Sequence, residues 1–202
     1  MRNFYILTLL FYLVFTPNLA YSLEGGIEYD GVYIDYKALN YNQWRKTADY
    51  NFLKARNAKT EKERQMYYSR AVGAYQTMTK INPFDPIVMA TIGHIYGKMH
   101  NRVYAKAFLD RGLNLDLKNP IVNYYYGIFH DDERDYRKAR KSYNVAFANG
   151  MKANYDLIIR LAVVNAKLGE LENAKYYYNL AYMLNPSKEL KNKIILLDEL
   201  KK

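Results

Sequence analysis

The sequence of 202 residues predicts an all-α fold made of repeated helix-turn-helix pairs and closed by a C-terminal capping helix. The first observation is internal similarity at a period of 34 residues, and a fixed period of this length indicates a repeat architecture. The tripeptide Pro-Ile-Val occurs at 86–88 and again at 120–122, and Gly93 and Ala105 recur at the same interval. The second observation is that apolar residues within each copy recur at spacings of three and four, as in amphipathic helices.

Composition excludes several classes of protein. The chain has no Cys, so a disulfide framework, a Cys-ligated metal site and a cysteine nucleophile are all excluded. Half of the residues are hydrophobic and a quarter are charged, which is typical of a globular domain rather than a disordered chain. The formal net charge is +10, and a positive charge of this size makes anionic partners worth considering.

Residues 1–22 are typical of a secretory signal peptide. Arg2 precedes an apolar run at residues 4–15, Pro17 follows, and Ala-Tyr-Ser at 20–22 supplies a small-x-small cleavage site after Ser22. A membrane-spanning helix needs about 20 apolar residues, so this shorter run favours cleavage over an uncleaved anchor. We therefore expect an exported protein, with the bacterial envelope as the preferred compartment. The Cys-free chain fits both a periplasmic and a secreted location.

Residues 23–80 divide into an acidic part and a basic part. Residues 23–40 contain four acids and one Lys, and Asp30-Gly31 fits either a tight hairpin turn or an extended arm. Residues 41–80 contain nine basic and three acidic residues, a net charge of +6. We expect a first helix near Trp44 and, from Thr60 with Glu63 three residues later, a capping box that opens the next helix after a turn at 57–59.

Three repeats and a cap follow. The periodicity places repeats at 86–119, 120–153 and 155–188, with one residue inserted before the third. Residues 41–85 hold basic helices that form a degenerate copy. Ser187 opens the capping helix at 189–202, with Leu190, Ile194, Leu197 and Leu200 expected on its inner side and polar residues elsewhere.

This pattern resembles the tetratricopeptide repeat (TPR) family over residues 52–188. In that family a small residue in the first helix and alanines in the second allow the paired helices to pack closely. The matching second-helix positions are Ala71, Tyr75 and Pro83; Ala105, Leu109 and Gly112; Ala139, Tyr143 and Ala146; and Ala174, Tyr178, Ala181 and Pro186. The departures are Lys59 and Lys62 in first-helix positions of the degenerate copy, His130 and Asn165 in place of an aromatic residue, and Leu117 and Met151 in place of the closing proline. The resemblance implies a right-handed superhelical solenoid.

Catalytic chemistry is sparse in this sequence. The three histidines, His94, His100 and His130, have no metal-ligand spacing. There is no phosphate-binding glycine loop and no Gly-x-Ser-x-Gly elbow. The acidic run at 130–135 fits a solvated corner between helices, where an N-cap belongs, better than a cation site. We therefore expect no enzymatic activity, no cofactor and no bound metal.

The resemblance also implies which side chains line a concave groove. In the family, fixed positions of successive first helices face that groove. Applied to this sequence, the rule selects the following partner-binding residues: His94, Lys98, Tyr124, Tyr125, Ile128, Arg160, Val163 and Lys167.

One subtype of the family is excluded by its residues. Tail-binding members hold a terminal carboxylate with Lys, Asn and Arg at set positions. The aligned residues here are Ala90, His94, Tyr125, Asp156 and Arg160, and only Arg160 matches. We therefore predict no carboxylate clamp.

Two functional hypotheses follow, from different classes. The preferred one is an interaction scaffold in the envelope that holds a peptide or helix of a partner protein in the groove, without nucleic acid. The alternative is a charge-driven binder of an anionic surface, whether lipid, polysaccharide or nucleic acid, through Arg45, Lys46, Arg56 and Arg64. It would give the protein a peripheral membrane contact if the surface is lipid. Self-association of the array into a homo-oligomer is a third hypothesis.

Overall fold

The computed structural model describes residues 26–29, 32–35 and 40–200. The predicted signal peptide at residues 1–22 and the turn residues Asp30 and Gly31 lie outside these ranges. The chain divides into a first unit, Met1–Phe84, and a second unit, Asp85–Lys202. Among the described residues, no helix is both long enough and apolar enough to span a membrane.

The first unit contains a β-hairpin and a pair of helices. Strands β1 (Gly26–Tyr29) and β2 (Val32–Asp35) pair antiparallel, with Ile27 opposite Ile34. This pairing of residues 26–29 with 32–35 is the one that the predicted hairpin requires. Helices α1 (Tyr41–Asn57) and α2 (Glu61–Ile81) follow it.

Local capping sets the ends of these two helices. Asn40 caps α1 and forms a capping box with Gln43, so the helix begins at Tyr41, ahead of the expected start near Trp44. Thr60 and Glu63 form the predicted capping box of α2. This box also shows that the degenerate copy was aligned wrongly with the other repeats.

Lys59 therefore lies in the turn between the two helices, and Lys62 lies in the first turn of α2. Neither occupies the first-helix position that the resemblance implied. The first helix of this pair is α1, which ends at Asn57.

The second unit consists of three helix pairs and a final helix. Each predicted repeat holds one pair, with Asp or Asn capping the first helix of the pair in every case. The helices are α3 (Pro86–Lys98) and α4 (Arg102–Leu115), α5 (Pro120–Asp132) and α6 (Tyr136–Ala148), α7 (Tyr155–Lys167) and α8 (Leu171–Leu184), and α9 (Lys188–Glu199).

Small residues bring the helices of a pair together. A Cβ added to Gly93 of α3 would lie 2.7 Å from Leu109 Cγ of α4. The corresponding contact in the next pair is between Gly127 of α5 and the ring of Tyr143 of α6. The core lies between successive pairs, because the side chains of each pair pack against the next one.

The capping helix α9 has two of its predicted inner leucines buried, but a third is exposed. Leu190 and Leu197 are buried against α8, as expected. Leu200, however, was expected on the inner side and is 62% exposed, and Ile195 and Leu196 are also exposed. Leu200 is the C-cap residue that follows the last helical residue, Glu199.

Candidate partner-binding groove

The first helices of the three pairs in the second unit are joined by a row of side chains. His94 of α3 stacks on Tyr125 of α5, with ring centroids 4.4 Å apart and planes 9° apart. The neighbouring Tyr124 ring lies 5.7 Å from that of Tyr125. An aromatic strip therefore runs from α3 onto α5, in which the His94–Tyr125 pair is stacked and the Tyr124–Tyr125 pair is tilted.

Polar contacts carry the row from α5 onto α7. The Tyr124 hydroxyl donates a hydrogen bond to the Asp156 carboxylate. Arg160 Nε donates to the same carboxylate oxygen at 2.9 Å, and Arg160 Nη1 lies 3.6 Å from Oδ2 of Asp131. The Tyr143 hydroxyl of α6 donates to Asp131 at 3.3 Å. We call these contacting residues the groove row: His94, Tyr125, Tyr124, Asp156, Arg160 and Asp131.

Local sequence explains how α7 presents its two charged residues. Asn154 caps α7 through the Leu157 amide, which fixes the start of the helix. Asp156 and Arg160 are four residues apart and therefore lie on the same face, with the acid in the first turn where the helix dipole favours it. Their ion pair is in place before any partner binds.

The two aspartates differ in their electrostatic environment. Burial raises the pKa of the Asp131 carboxyl above its usual value, although the Arg160 charge and the Tyr143 hydrogen bond act in the other direction. Burial also acts to raise the pKa of Asp156, but the hydrogen bonds from Tyr124 and Arg160 outweigh it and lower that pKa. The difference follows from the number of direct donors that each carboxylate accepts.

The other two members of this network hold their protons. Burial and then the hydrogen bond to Asp156 raise the pKa of Tyr124 to about 12. Burial alone would lower the pKa of the Arg160 guanidinium, but Tyr143 and Asp156 raise it above its usual value. At neutral pH the row therefore carries a charged arginine between two carboxylates.

Most other residues predicted for the groove lie at its edges. Lys98 is exposed at the C-terminal end of α3, and its charge contributes to the lowered pKa of Asp156. Lys167 is exposed at the corresponding end of α7. Val163 is half-buried and packs against the core cluster around Ile158 and Ala162.

Ile128 is the exception and corrects the prediction. Its side chain is 4% exposed and belongs to the core cluster that includes Tyr143, Leu157 and Leu161. The apolar residues of α6 and α7 cover it, so it supports the groove from beneath and does not reach a partner.

Sequence reasoning missed two members of this network. Asp156 was assigned only to a lost clamp position, although its spacing of four residues from Arg160 indicates a helical ion pair. Tyr143 was assigned only to helix packing, and its ring is indeed fully buried. No local pattern indicates that its hydroxyl extends to Asp131, because the two residues lie on different helices of the pair.

The acidic run at 130–135 forms a corner between helices. Asp135 caps α6 through the Lys138 amide, and Arg134 adopts a left-handed backbone conformation with φ of 60°. Among residues 26–29, 32–35 and 40–200, no three His, Cys, Asp or Glu side chains come together as metal ligands would.

The four residues predicted to bind an anionic surface have different environments. Lys46 and Arg56 are exposed on α1. Arg45 lies over the Tyr41 ring at 5.7 Å. Arg64 is bound to Glu61 at 2.6 Å and donates to the carbonyl oxygen of Ala58 at 3.3 Å. This last arginine is therefore engaged at the start of α2.

Comparison with known proteins rests on structure. No family model matches the sequence, and no curated protein matches it. A crystal structure of MamA is similar over 70% of this chain and 82% of its own, with 20% identity and a TM-score of 0.58. PilF of Pseudomonas aeruginosa is similar over 78% of this chain and 70% of its own, with 15% identity and a TM-score of 0.62.

A third similar structure is named as a TPR protein. It is the first TPR of Spaghetti (RPAP3), solved bound to an HSP90 peptide, with 20% identity and a TM-score of 0.52 over 58% of this chain and 93% of its own. At these identities the likeness concerns the fold. It confirms the predicted all-α repeat solenoid, and this chain accordingly has a TPR-like fold.

Proposed function

We propose that this chain is a non-enzymatic protein-interaction module of the bacterial envelope, and that it holds a peptide or helix of a partner protein against the groove row. The observation that carries the proposal is the continuous contact from His94 on α3 through Tyr124 on α5 to Arg160 on α7. Three helices thereby present one connected surface. The envelope location rests on the signal-like sequence of residues 1–22.

The physical case for binding is preorganisation. Tyrosine and arginine supply large contact area and directed hydrogen bonds, and they are enriched where binding energy concentrates. Here the Tyr124 and Arg160 side chains are already held by Asp156, so little rotamer entropy remains to be lost on binding. The RPAP3 domain, which has the same fold, was solved with a bound peptide, and this supports a peptide partner here as well.

The charges of the row favour an internal segment of the partner over a free C-terminal carboxylate. Arg160 already faces both Asp131 and Asp156, so an incoming carboxylate would have to displace one of them. The Asp156 side chain is 58% exposed and accepts hydrogen bonds, while the stacked His94 and Tyr125 rings offer an apolar face. A segment that combines an aromatic side chain with a hydrogen-bond donor matches these groups.

The test is a crosslinked pull-down from the envelope fraction of the source cells, followed by affinity measurements with the captured partner. The groove variant is Tyr124→Ala with Arg160→Ala. Its matched control is Tyr176→Ala with Arg137→Ala, which removes the same two residue types from exposed positions on α8 and α6. Thermal unfolding of both variants checks that they fold.

The proposal expects a discrete protein that the wild type and the control retain at high salt and that the groove variant loses. Aromatic burial changes little with ionic strength, so affinity for the purified partner should fall only in the groove variant. Equal affinity of the groove variant and the control would refute the groove as the binding site.

A further inference from the structure

The outer face of α1 carries exposed apolar and basic side chains in one stripe. Lys46, Tyr50, Leu53 and Lys54 follow one another at helical spacings of four, three and one. Tyr50 is 57% exposed and Leu53 is 54% exposed. The opposite side of the helix is buried and includes Trp44, so the stripe faces away from the core of the first unit.

The basic side chains of this stripe lack compensating acids. Lys54 lies over the Tyr50 ring at 5.4 Å, and Arg56 is exposed on the flank of the stripe. Within the part of the chain that the structure describes, Lys46, Lys54 and Arg56 form no ion pair.

The acidic residues of residues 40–84 are engaged elsewhere. Asp49 accepts a hydrogen bond from the Tyr75 hydroxyl. Glu61 pairs with Arg64, and Glu63 closes the capping box of α2. Among residues 40–84 the positive charge of the α1 stripe is therefore not neutralised.

We propose that this stripe, Lys46, Tyr50, Leu53, Lys54 and Arg56, docks the first unit onto an anionic lipid surface. Lysine and arginine side chains bind the phosphates of anionic headgroups, and their attraction falls off within a Debye length. Tyrosine and leucine enter the headgroup and acyl boundary beneath those phosphates. The stripe presents both requirements on a single helix.

Leu53 distinguishes a bilayer from a soluble polyanion. Nucleic acid and anionic polysaccharide are bound by cations and by aromatic stacking, to which Tyr50 and the three basic residues are sufficient. An aliphatic side chain held in water between cations gains nothing from such a polymer, whereas a bilayer buries it. The proposal therefore predicts that binding depends on Leu53 as well as on charge.

The stripe belongs to the first unit of the chain and the groove row belongs to the second, so the two proposals use different residues. Lipid binding and partner binding are therefore distinguishable. A variant of the stripe should still retain the partner in the pull-down described above, and a variant of the groove row should still bind lipid. Failure of either proposal leaves the other testable.

Co-sedimentation with vesicles tests the proposal, using protein purified after export from expressing cells. The probes are phosphatidylcholine vesicles with and without phosphatidylglycerol. The charge variant is Lys46→Glu with Lys54→Glu, and its control is Lys141→Glu with Lys152→Glu, which makes the same charge change at exposed positions of the second unit. The apolar variant is Leu53→Ser, and its control is Val103→Ser at a side chain that is 80% exposed.

Binding to the phosphatidylglycerol vesicles should fall about tenfold or more in the charge variant, because two attractive contacts become repulsive. It should fall several-fold in Leu53→Ser, and both controls should bind like wild type. Equal binding by the charge variant and its control would overturn the proposal. Retained binding in Leu53→Ser, together with equally charge-dependent binding of heparin or DNA, would overturn it in favour of a soluble polyanion.

Discussion

The ring of Tyr143 occupies the space in which a side chain at Gly127 would begin. A Cβ added to Gly127 would lie 2.4 Å from two carbons of that ring, which is fully buried. The contact lets α5 and α6 approach closely. The hydroxyl of the same Tyr143 side chain donates a hydrogen bond to Asp131. Packing within a helix pair and the polar network of the groove therefore share one side chain.

Gly127→Ala should destabilise the second unit by about 1–3 kcal/mol, because a buried ring must shift to admit the methyl group. Urea-induced unfolding measures the effect. Gly73→Ala is the control, since a Cβ there meets nothing within 4 Å in the middle of α2. It should raise stability by about 0.4–1 kcal/mol. Equal effects of the two substitutions would contradict the close approach.

The two carboxylates that face Arg160 should titrate on opposite sides of the ordinary aspartate pKa. Asp131 should take up its proton at a higher pH than Asp156, and NMR titration of the carboxyl carbons measures both. In Arg160→Ala both values should rise, because the positive charge that lowers each of them is removed. A wild-type Asp156 that titrates above Asp131 would contradict this arrangement.

The same shifts have opposite effects on stability. The pKa of Asp156 is lowered on folding, so its contribution is present above the unfolded pKa and is lost as the pH falls through the folded value. The pKa of Asp131 is raised on folding, so its contribution is present at low pH and is lost as the pH rises through its folded value. Relative to wild type, Asp156→Asn should therefore lose less stability on acidification and Asp131→Asn should lose more, which thermal unfolding of the two variants at several pH values measures.

An acidic peptide with a free C-terminal carboxylate should not bind the groove with submicromolar affinity. Arg160 is engaged by Asp156 and Asp131. Ala90 and Asp156 stand at the two Lys positions of the clamp, and His94 and Tyr125 stand at its two Asn positions. Isothermal titration with such a peptide checks this. Tight binding that disappears in Arg160→Ala would show that a clamp exists after all.

The inner and outer leucines of α9 should differ in their importance for stability. Leu190→Ala should cost about 2–5 kcal/mol, because that side chain is 3% exposed in the core against α8. Leu200→Ala should change stability by less than about 0.5 kcal/mol, since Leu200 is 62% exposed. Thermal unfolding compares the two, and comparable losses would place Leu200 in a packed interface.

The repeat architecture could be predicted from sequence because its signals are local. The capping box of Thr60 and Glu63 and the Asp or Asn at the start of each first helix act within three residues of the helix end. The period of 34 residues and the small residues at Gly93 and Gly127 then align the pairs. These features determine where helices begin and how closely two of them pack.

The site was predicted less completely, because a first-helix position does not specify which neighbour covers it. Ile128 and Tyr124 are one helical turn apart, yet α7 covers Ile128 with Leu157 and Leu161 and leaves Tyr124 to meet Asp156. Arg64 was predicted to be available to an anionic surface in the same way as Arg45, Lys46 and Arg56, but it forms an ion pair with Glu61.

For residues 86–188 the sequence by itself determined that the chain forms three pairs of helices and which residues belong to the first helix of each pair. It did not give the start of α1 or the first helix of the degenerate copy. Only the tertiary structure decided that Arg160 faces two carboxylates, that Tyr143 reaches Asp131, and that Leu200 is exposed. The physical reason is the separation along the sequence between the residues that interact. Caps and helical spacings involve residues a few positions apart, whereas burial and side-chain pairing between helices depend on residues that are distant in sequence and close in space.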